Sequence, residues 1–127
     1  MMDLDKFKMV NDTYGHDAGD RVIQAFAELL KDVLRAEDAV ARFGGDEFAA
    51  VLPGVNRREA AAIASRILSA AGSRFVTIDA GESISLSLSI GICDNAFANG
   101  EEEMLKFADR AMYMAKNDLG NRCAVWE

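Results

Sequence analysis

Arg42-Phe43-Gly44-Gly45-Asp46-Glu47-Phe48 is the stretch on which the fold turns. Ala39-Val40-Ala41 runs into it, and Phe48-Ala49-Ala50-Val51-Leu52 runs out of it as far as Pro53-Gly54. Two short apolar runs joined by a double glycine predict a β-hairpin, because the tight primed turns need positive φ at their centre and glycine takes it freely. Asp46 and Glu47 follow the glycines at once. Neighbouring strand residues point to opposite faces, so the two acids are expected to face different ways. A tip without side chains lets a phosphate or a base approach the backbone closely. A carboxylate beside such a tip can hold the divalent cation that a triphosphate needs. A solvated surface turn fits the same residues.

Outward from the hairpin, 127 residues with an apolar half suit one domain, residues 1–127, with a real core. The net charge of −7 argues against a general nucleic-acid binder, which would present a basic surface. Small nucleotides remain open if a metal ion bridges acids to phosphates. No apolar run approaches membrane-spanning length, and the start, Met1-Met2-Asp3-Leu4-Asp5, is too acidic for a secretory leader, so no direct membrane contact is expected. Cys93 and Cys123 fit no metal spacing and are expected as reduced core thiols of a cytoplasmic domain. With His16 as the single histidine, a His-rich zinc site is excluded.

Met1 to Leu4 has the look of the tail end of a strand. Lys6 to Tyr14 predicts a short helix broken at Gly15-His16. Asp17 is expected to cap a long helix to about Arg35, with Val22, Phe26, Leu29, Leu30 and Val33 on one face. Asn56 with Glu59 resembles a capping box opening a helix that Gly72 ends. Arg74 to Asp79 predicts a strand, and Gly81 a turn. Ser83 to Cys93 alternates Ile84, Leu86, Leu88, Ile90 and Ile92 with serines and Gly91, which predicts one strand with one buried face. Asn99-Gly100 turns the chain into a last helix closed by Gly120, and a short strand runs from Cys123 to Trp126. The order predicts an α+β fold with a mixed, mainly antiparallel sheet flanked by helices.

Asp3 and Asp5, two apart at a strand end, are expected on one face. A strand-end carboxylate beside a hairpin carboxylate suits paired Mg²⁺ ions, since hard cations want oxygen ligands and two metals clamp the attacking and leaving oxygens. A solvated strand end is the bland alternative. Asn11 and Asp20 suit a guanine edge, the amide pairing with O6 and the carboxylate accepting from N1–H and N2–H₂; a polar loop residue and a helix-dipole acid would look the same. Lys8, Lys116 and Arg122 suit phosphates, or are surface charges. Arg35 and Asp38, three apart, suit phosphate and guanine edges, or form a local charge pair at a helix end.

Together these residues resemble the GGDEF family of diguanylate cyclases. The resemblance runs from Asp3-Leu4-Asp5-Lys6-Phe7-Lys8 through Asn11–His16 and Gly19-Asp20 to Arg42–Phe48, Ser89-Ile90-Gly91, Ala108-Asp109 and Ala115-Lys116. It implies a nucleotidyl-cyclase, palm-like fold that condenses two GTP into cyclic di-GMP and two pyrophosphates, with Mg²⁺ or Mn²⁺ and two protomers facing each other. By the resemblance, Asp3, Asp46 and the Leu4 carbonyl would hold metal, and Glu47 would assist the metal or activate the 3′-hydroxyl. Gly44 and Gly45 would lie under the nucleotide, Asn11 and Asp20 would recognise guanine, and Lys8 and Lys116 would contact phosphates. Arg35, Asp38 and Arg66 would form an inhibitory product site. An upstream sensor domain is implied in the parent protein, which could be membrane-anchored. Two departures stand out. Gly120 falls where the family has a basic residue, with Arg122 as a possible substitute. The family's opening helix, its LTGLxNR-like run and most of its first strand have no counterpart in this chain. The expectation is therefore a weakly active or inactive chain that self-associates through uncovered apolar surface yet can still bind cyclic di-GMP. The alternative is a non-catalytic module that binds GTP or cyclic di-GMP and signals.

Overall fold

A computed structural model describes residues 1–79, 81–118 and 122–127. Its elements run β1 (Met2–Leu4), α1 (Phe7–Tyr14), α2 (His16–Val33), β2 (Ala39–Arg42), β3 (Glu47–Val51), α3 (Arg57–Ser73), β4 (Phe75–Asp79), β5 (Glu82–Ser85), β6 (Leu88–Ile92), α4 (Glu101–Asn117) and β7 (Cys123–Val125). Five strands form one sheet in the order β2-β3-β1-β6-β7, antiparallel except for the β6–β7 pair, and β4 and β5 form a separate hairpin. The α+β expectation holds. Strand β1, short as it is, lies in the middle of this sheet, where both its neighbours tie it down.

Register sorts the side chains. Met2 pairs with Phe48 and Ile90, and Leu4 with Leu88, so these share one face. That face meets α2 and α3, where Phe26, Leu29, Leu30 and Ile67 complete the core. Phe26 meets Phe48 edge-on at a centroid distance of 4.9 Å, a favoured aromatic arrangement. Asp3, Glu47 and Ser89 share the opposite face, which α4 covers.

Four sequence expectations are corrected. The serine-alternating run is two strands, not one. After Leu86 donates to the Arg74 carbonyl, the chain leaves β4 and pairs with β1. Strand β6 is buried on both faces, because Ser89 is fully enclosed and Gly91 lies directly under α4, with no room for a Cβ between its backbone and that of Ala108 and Met112. Asp17 lies in the first turn of α2 without capping it; the N-cap is Gly15, at φ 90°. The helix that Gly72 was to end continues to Ser73. The capping box is present in both directions, Asn56 Oδ1 accepting from Glu59 N at 2.9 Å and Glu59 Oε2 from Asn56 N at 3.0 Å. The expected helix stop at Gly120 lies outside the described residues.

Candidate functional site

The site assembles at the end of β1. Asp3 is 8% exposed, an unusual place for a carboxylate. Its Oδ2 accepts from Lys116 Nζ at 2.9 Å, while its buried Oδ1 has no hydrogen-bond partner among the described residues. Burial pushes the Asp3 carboxyl up to about 6. Lys116 opposes that rise, and the neighbouring Asp46 carboxyl adds to it. Burial works against the Lys116 ammonium, yet Asp3, with Asp46 and Asp5 behind it, holds its pKa above the usual lysine value. Two carboxyls thus share a poorly solvated corner with a single lysine. An orphaned carboxylate oxygen beside a second carboxylate is a donor set that fits a hard divalent cation.

The backbone around the pair is fixed. Leu4 N donates to the Asp46 carbonyl at 3.0 Å. In an extended strand a residue's N–H and C=O point to the same edge, so the Leu4 carbonyl is aimed toward Asp46 as well. Asp5 is anchored to β6. Its carboxylate accepts the Ser87 hydroxyl at 2.7 Å and the Ser89 hydroxyl at 2.9 Å, and its N–H donates to the Ser87 carbonyl. It ties the end of β1 to β6. Glu47 shares the Asp3 face by register, but among the described residues no third His, Cys, Asp or Glu joins Asp3 and Asp46 in a metal-binding group.

The hairpin tip differs from the tight primed turn that the double glycine predicts. Ladder pairing ends at Arg42 opposite Phe48, and the Glu47 carbonyl accepts from both Phe43 N and Gly44 N. Neither Gly44 nor Gly45 has a left-handed φ. A Cβ added at either would meet nothing within 4 Å. Positive φ is therefore not what glycine supplies at this turn; the pair leaves the tip bare. Arg42 shapes it, Nε donating to the Gly44 and Gly45 carbonyls at 3.2 Å each and Nη2 to Gly45 at 2.7 Å. That role was not legible in the sequence, where Arg42 merely ends a strand.

Asn11 on α1 is seated against Gly19 on α2, the residue before Asp20, so the two expected guanine readers sit at one helix junction. Asp20 and Lys8 are exposed. Arg35 and Asp38 pair with each other: Arg35 Nη2 donates to Asp38 Oδ1 at 2.7 Å and Arg35 N to Oδ2 at 2.8 Å. Hydrogen bonding from Arg35 holds the Asp38 carboxyl below the usual range. Arg35 also donates to the Pro53 carbonyl, and Arg66 reaches the same end of α2 through the Val33 carbonyl at 3.0 Å. Arg122 pairs with Asp118 at 3.5 Å, at the surface.

The model of the family described as "Diguanylate cyclase, GGDEF domain" matches residues 1–122. Diguanylate cyclase DosC of Escherichia coli (strain K12) is 39% identical over 130 residues, covering 100% of this chain and 28% of that protein. Diguanylate cyclase A of Treponema denticola is 37% identical, covering 98% of this chain and 34% of that protein. The chain thus spans about a third or less of the length of these relatives. Among solved structures, the GGDEF domain of TpbB (YfiN) from Pseudomonas aeruginosa superposes with a TM-score of 0.93 at 37% identity, over 99% of this chain and 74% of that one. The GGDEF domain of DgcB from Caulobacter crescentus, solved with c-di-GMP, gives a TM-score of 0.89 at 29% identity, over 98% and 74%.

Proposed function

The chain belongs to the GGDEF domain family of diguanylate cyclases, and from that premise we propose that it condenses two GTP into cyclic di-GMP, releasing two pyrophosphates. The observation that carries this reading is the buried Asp3 carboxyl, short of one partner, beside Asp46 under the bare Gly44–Gly45 tip.

Asp3, Asp46 and the Leu4 carbonyl would hold Mg²⁺ or Mn²⁺. Such a cation, when bound, neutralises phosphate charge and lowers the pKa of an attacking hydroxyl. The remaining work falls to the chain's own groups. Gly44 and Gly45 admit the nucleotide against the backbone. Lys116 and Lys8 balance phosphate charge, Lys116 exchanging its bond to Asp3 for one to the substrate. Asn11 and Asp20 read the guanine edge. Glu47, on the Asp3 face, accepts the proton of the 3′-hydroxyl as that oxygen bonds to the α-phosphorus of the second GTP and the bond to pyrophosphate breaks. One GTP per protomer makes a homodimer the working unit. The relatives' greater length supports further domains in the parent protein, and an upstream sensor is the arrangement proposed. Among the described residues no helix is long and apolar enough to cross a membrane.

Product inhibition is the finer part of the reading. Arg35, Asp38 and Arg66 converge on the end of α2, and cyclic di-GMP would open the Arg35–Asp38 pair, giving the guanidinium a guanine or phosphate edge instead. Calorimetry with cyclic di-GMP on Arg35→Ala tests it, and undiminished affinity would remove the site.

Turnover is tested by incubation with GTP and Mg²⁺ or Mn²⁺ and chromatographic detection of cyclic di-GMP, alongside Asp46→Ala and Glu47→Ala. Whatever product the unsubstituted chain forms, weak though it is expected to be, should be lost in either variant. Equal turnover in a variant refutes the role assigned to that residue. GTP binding without product would favour the second reading, a signalling module that binds nucleotide.

A further inference from the structure

Gly19 lies in the first turns of α2, is buried, and has an ordinary helical φ, so no backbone requirement explains it. Glycine inside a helix costs about 1 kcal/mol relative to alanine. What explains it is Asn11. A Cβ on Gly19 would overlap Asn11 Oδ1 and stand 3.0 Å from its Cγ and 3.3 Å from Phe7 Cζ. The Asn11 carbonyl therefore points straight into the space that a side chain would fill. Its Nδ2, the other arm of the planar amide, is not among the three atoms nearest that space.

We infer that Gly19 is a specificity-positioning residue: its missing side chain seats the Asn11 amide beside Asp20 and presents Nδ2–H as the donor that selects O6 of a guanine base. The inference rests on the guanine-reading role of Asn11 and Asp20 proposed above, and it adds a residue that touches no nucleotide. An adenine offers a donor, N6–H₂, where guanine offers the O6 acceptor, so a fixed Nδ2–H rejects it. If Gly19 carried a side chain, the amide would be displaced and would lose its fixed orientation, while Asp20, on the exposed side of α2, would keep its own partners N1–H and N2–H₂.

Two nucleotide analogues separate the readers. 6-Thio-GTP changes the acceptor that Asn11 reads while keeping both donors for Asp20, and ITP removes the N2 amine that Asp20 reads. Binding of GTP, 6-thio-GTP and ITP is measured by calorimetry with Ca²⁺ in place of Mg²⁺ to prevent turnover. The parent chain should prefer GTP over 6-thio-GTP by on the order of tenfold, the scale of one lost hydrogen bond. In Gly19→Ala that ratio should fall to near one while the GTP-to-ITP ratio stays at the parent value. Asn11→Ala should do the same. The double variant, in which the space for the new methyl is already vacated, should match Asn11→Ala and melt above Gly19→Ala. This keeps the test open even if Gly19→Ala alone folds poorly. An unchanged 6-thio-GTP ratio in Gly19→Ala, or an equal fall in both ratios, overturns the inference and makes Gly19 a packing residue only. If the parent chain discriminates against neither analogue, the guanine-reading proposal itself fails, and that outcome is visible before any variant is made.

Discussion

Gly91→Ala should be among the most damaging single-methyl changes this chain can receive. Strand β6 meets α4 backbone to backbone at Gly91, and an added Cβ would overlap the Ala108 carbonyl oxygen and the Met112 nitrogen and stand 2.7 Å from Met112 Cα. Ordinary carbon–carbon contact is about 3.5–4.0 Å, so α4 must retreat by about 1 Å. No flexible side chain can yield in its place, because every overlapping atom is main chain. The retreat loosens Ala108, Ala111, Met112 and Ala115, the buried residues of α4. If these share on the order of 50 atom contacts of about 0.15 kcal/mol each, losing a quarter to a half of each well costs about 2–4 kcal/mol. That matches the upper range for overpacked cores. For a domain of this size it corresponds to a fall in Tm of roughly 8–16 °C. The same shift pulls Lys116, near the end of α4, away from Asp3. Thermal unfolding followed by circular dichroism measures the first effect. A Gly91→Ala chain that melts within about 2 °C of the parent, half or less of the shift expected for 1 kcal/mol, would refute the packing argument.

Gly44→Ala is the contrasting change: nothing lies within 4 Å of the new methyl and φ is not left-handed, so stability should hold or rise by up to about 1 kcal/mol, while GTP affinity, by calorimetry, should fall at least about tenfold. Metal-free stability should decline as pH rises from about 4 to about 6. The folded state holds the Asp3 proton more tightly than the unfolded chain, so its contribution is complete below the unfolded pKa of 3.8 and gone above the folded value of about 6. The change should be about 1–3 kcal/mol, Asp3→Asn should flatten the profile, and a parent profile identical to that of Asp3→Asn would sink the assignment. Ser89→Ala removes a fully buried hydroxyl from Asp5 and should cost about 1–3 kcal/mol in urea unfolding; a neutral result would show that Ser87 alone suffices.

Local signals carried most of the fold. The capping box at Asn56, the apolar stripe of α2 and the breaks at Gly15 and Gly100 follow from short-range chemistry, and the structure agrees with them. The signals that misled depend on partners far along the chain. The serine-alternating run looked like one half-buried strand because alternation reports one covered face. Ser89 is buried on the other face by a carboxylate 84 residues away, and Gly91 by a helix. The double glycine suggested a primed turn because turn statistics concern φ, whereas this pair leaves φ ordinary and keeps the tip open. The motif made Asp3 and Asp46 stand out, and the structure brings the two carboxyls together. That Lys116 would hold Asp3, and Arg42 the tip, was not legible, since neither residue's local sequence names its partner.

Three glycine substitutions separate roles that the sequence writes with one letter. At Gly91 the missing side chain brings two backbones together, so a methyl should cost stability first. At Gly44 it leaves a surface bare, so a methyl should cost binding and spare stability. At Gly19 it admits another residue's amide, so a methyl should change which base is preferred. Each expectation follows from what a Cβ would meet: main chain, nothing, or Asn11. Stability, affinity and base preference are separately measurable, and the three variants should fall on different axes. If instead all three lost stability and affinity together, the site would not be separable from the core. Its precision would then have to come from the overall rigidity of the sheet rather than from the individual seats that Asp3, Asn11 and the hairpin tip occupy.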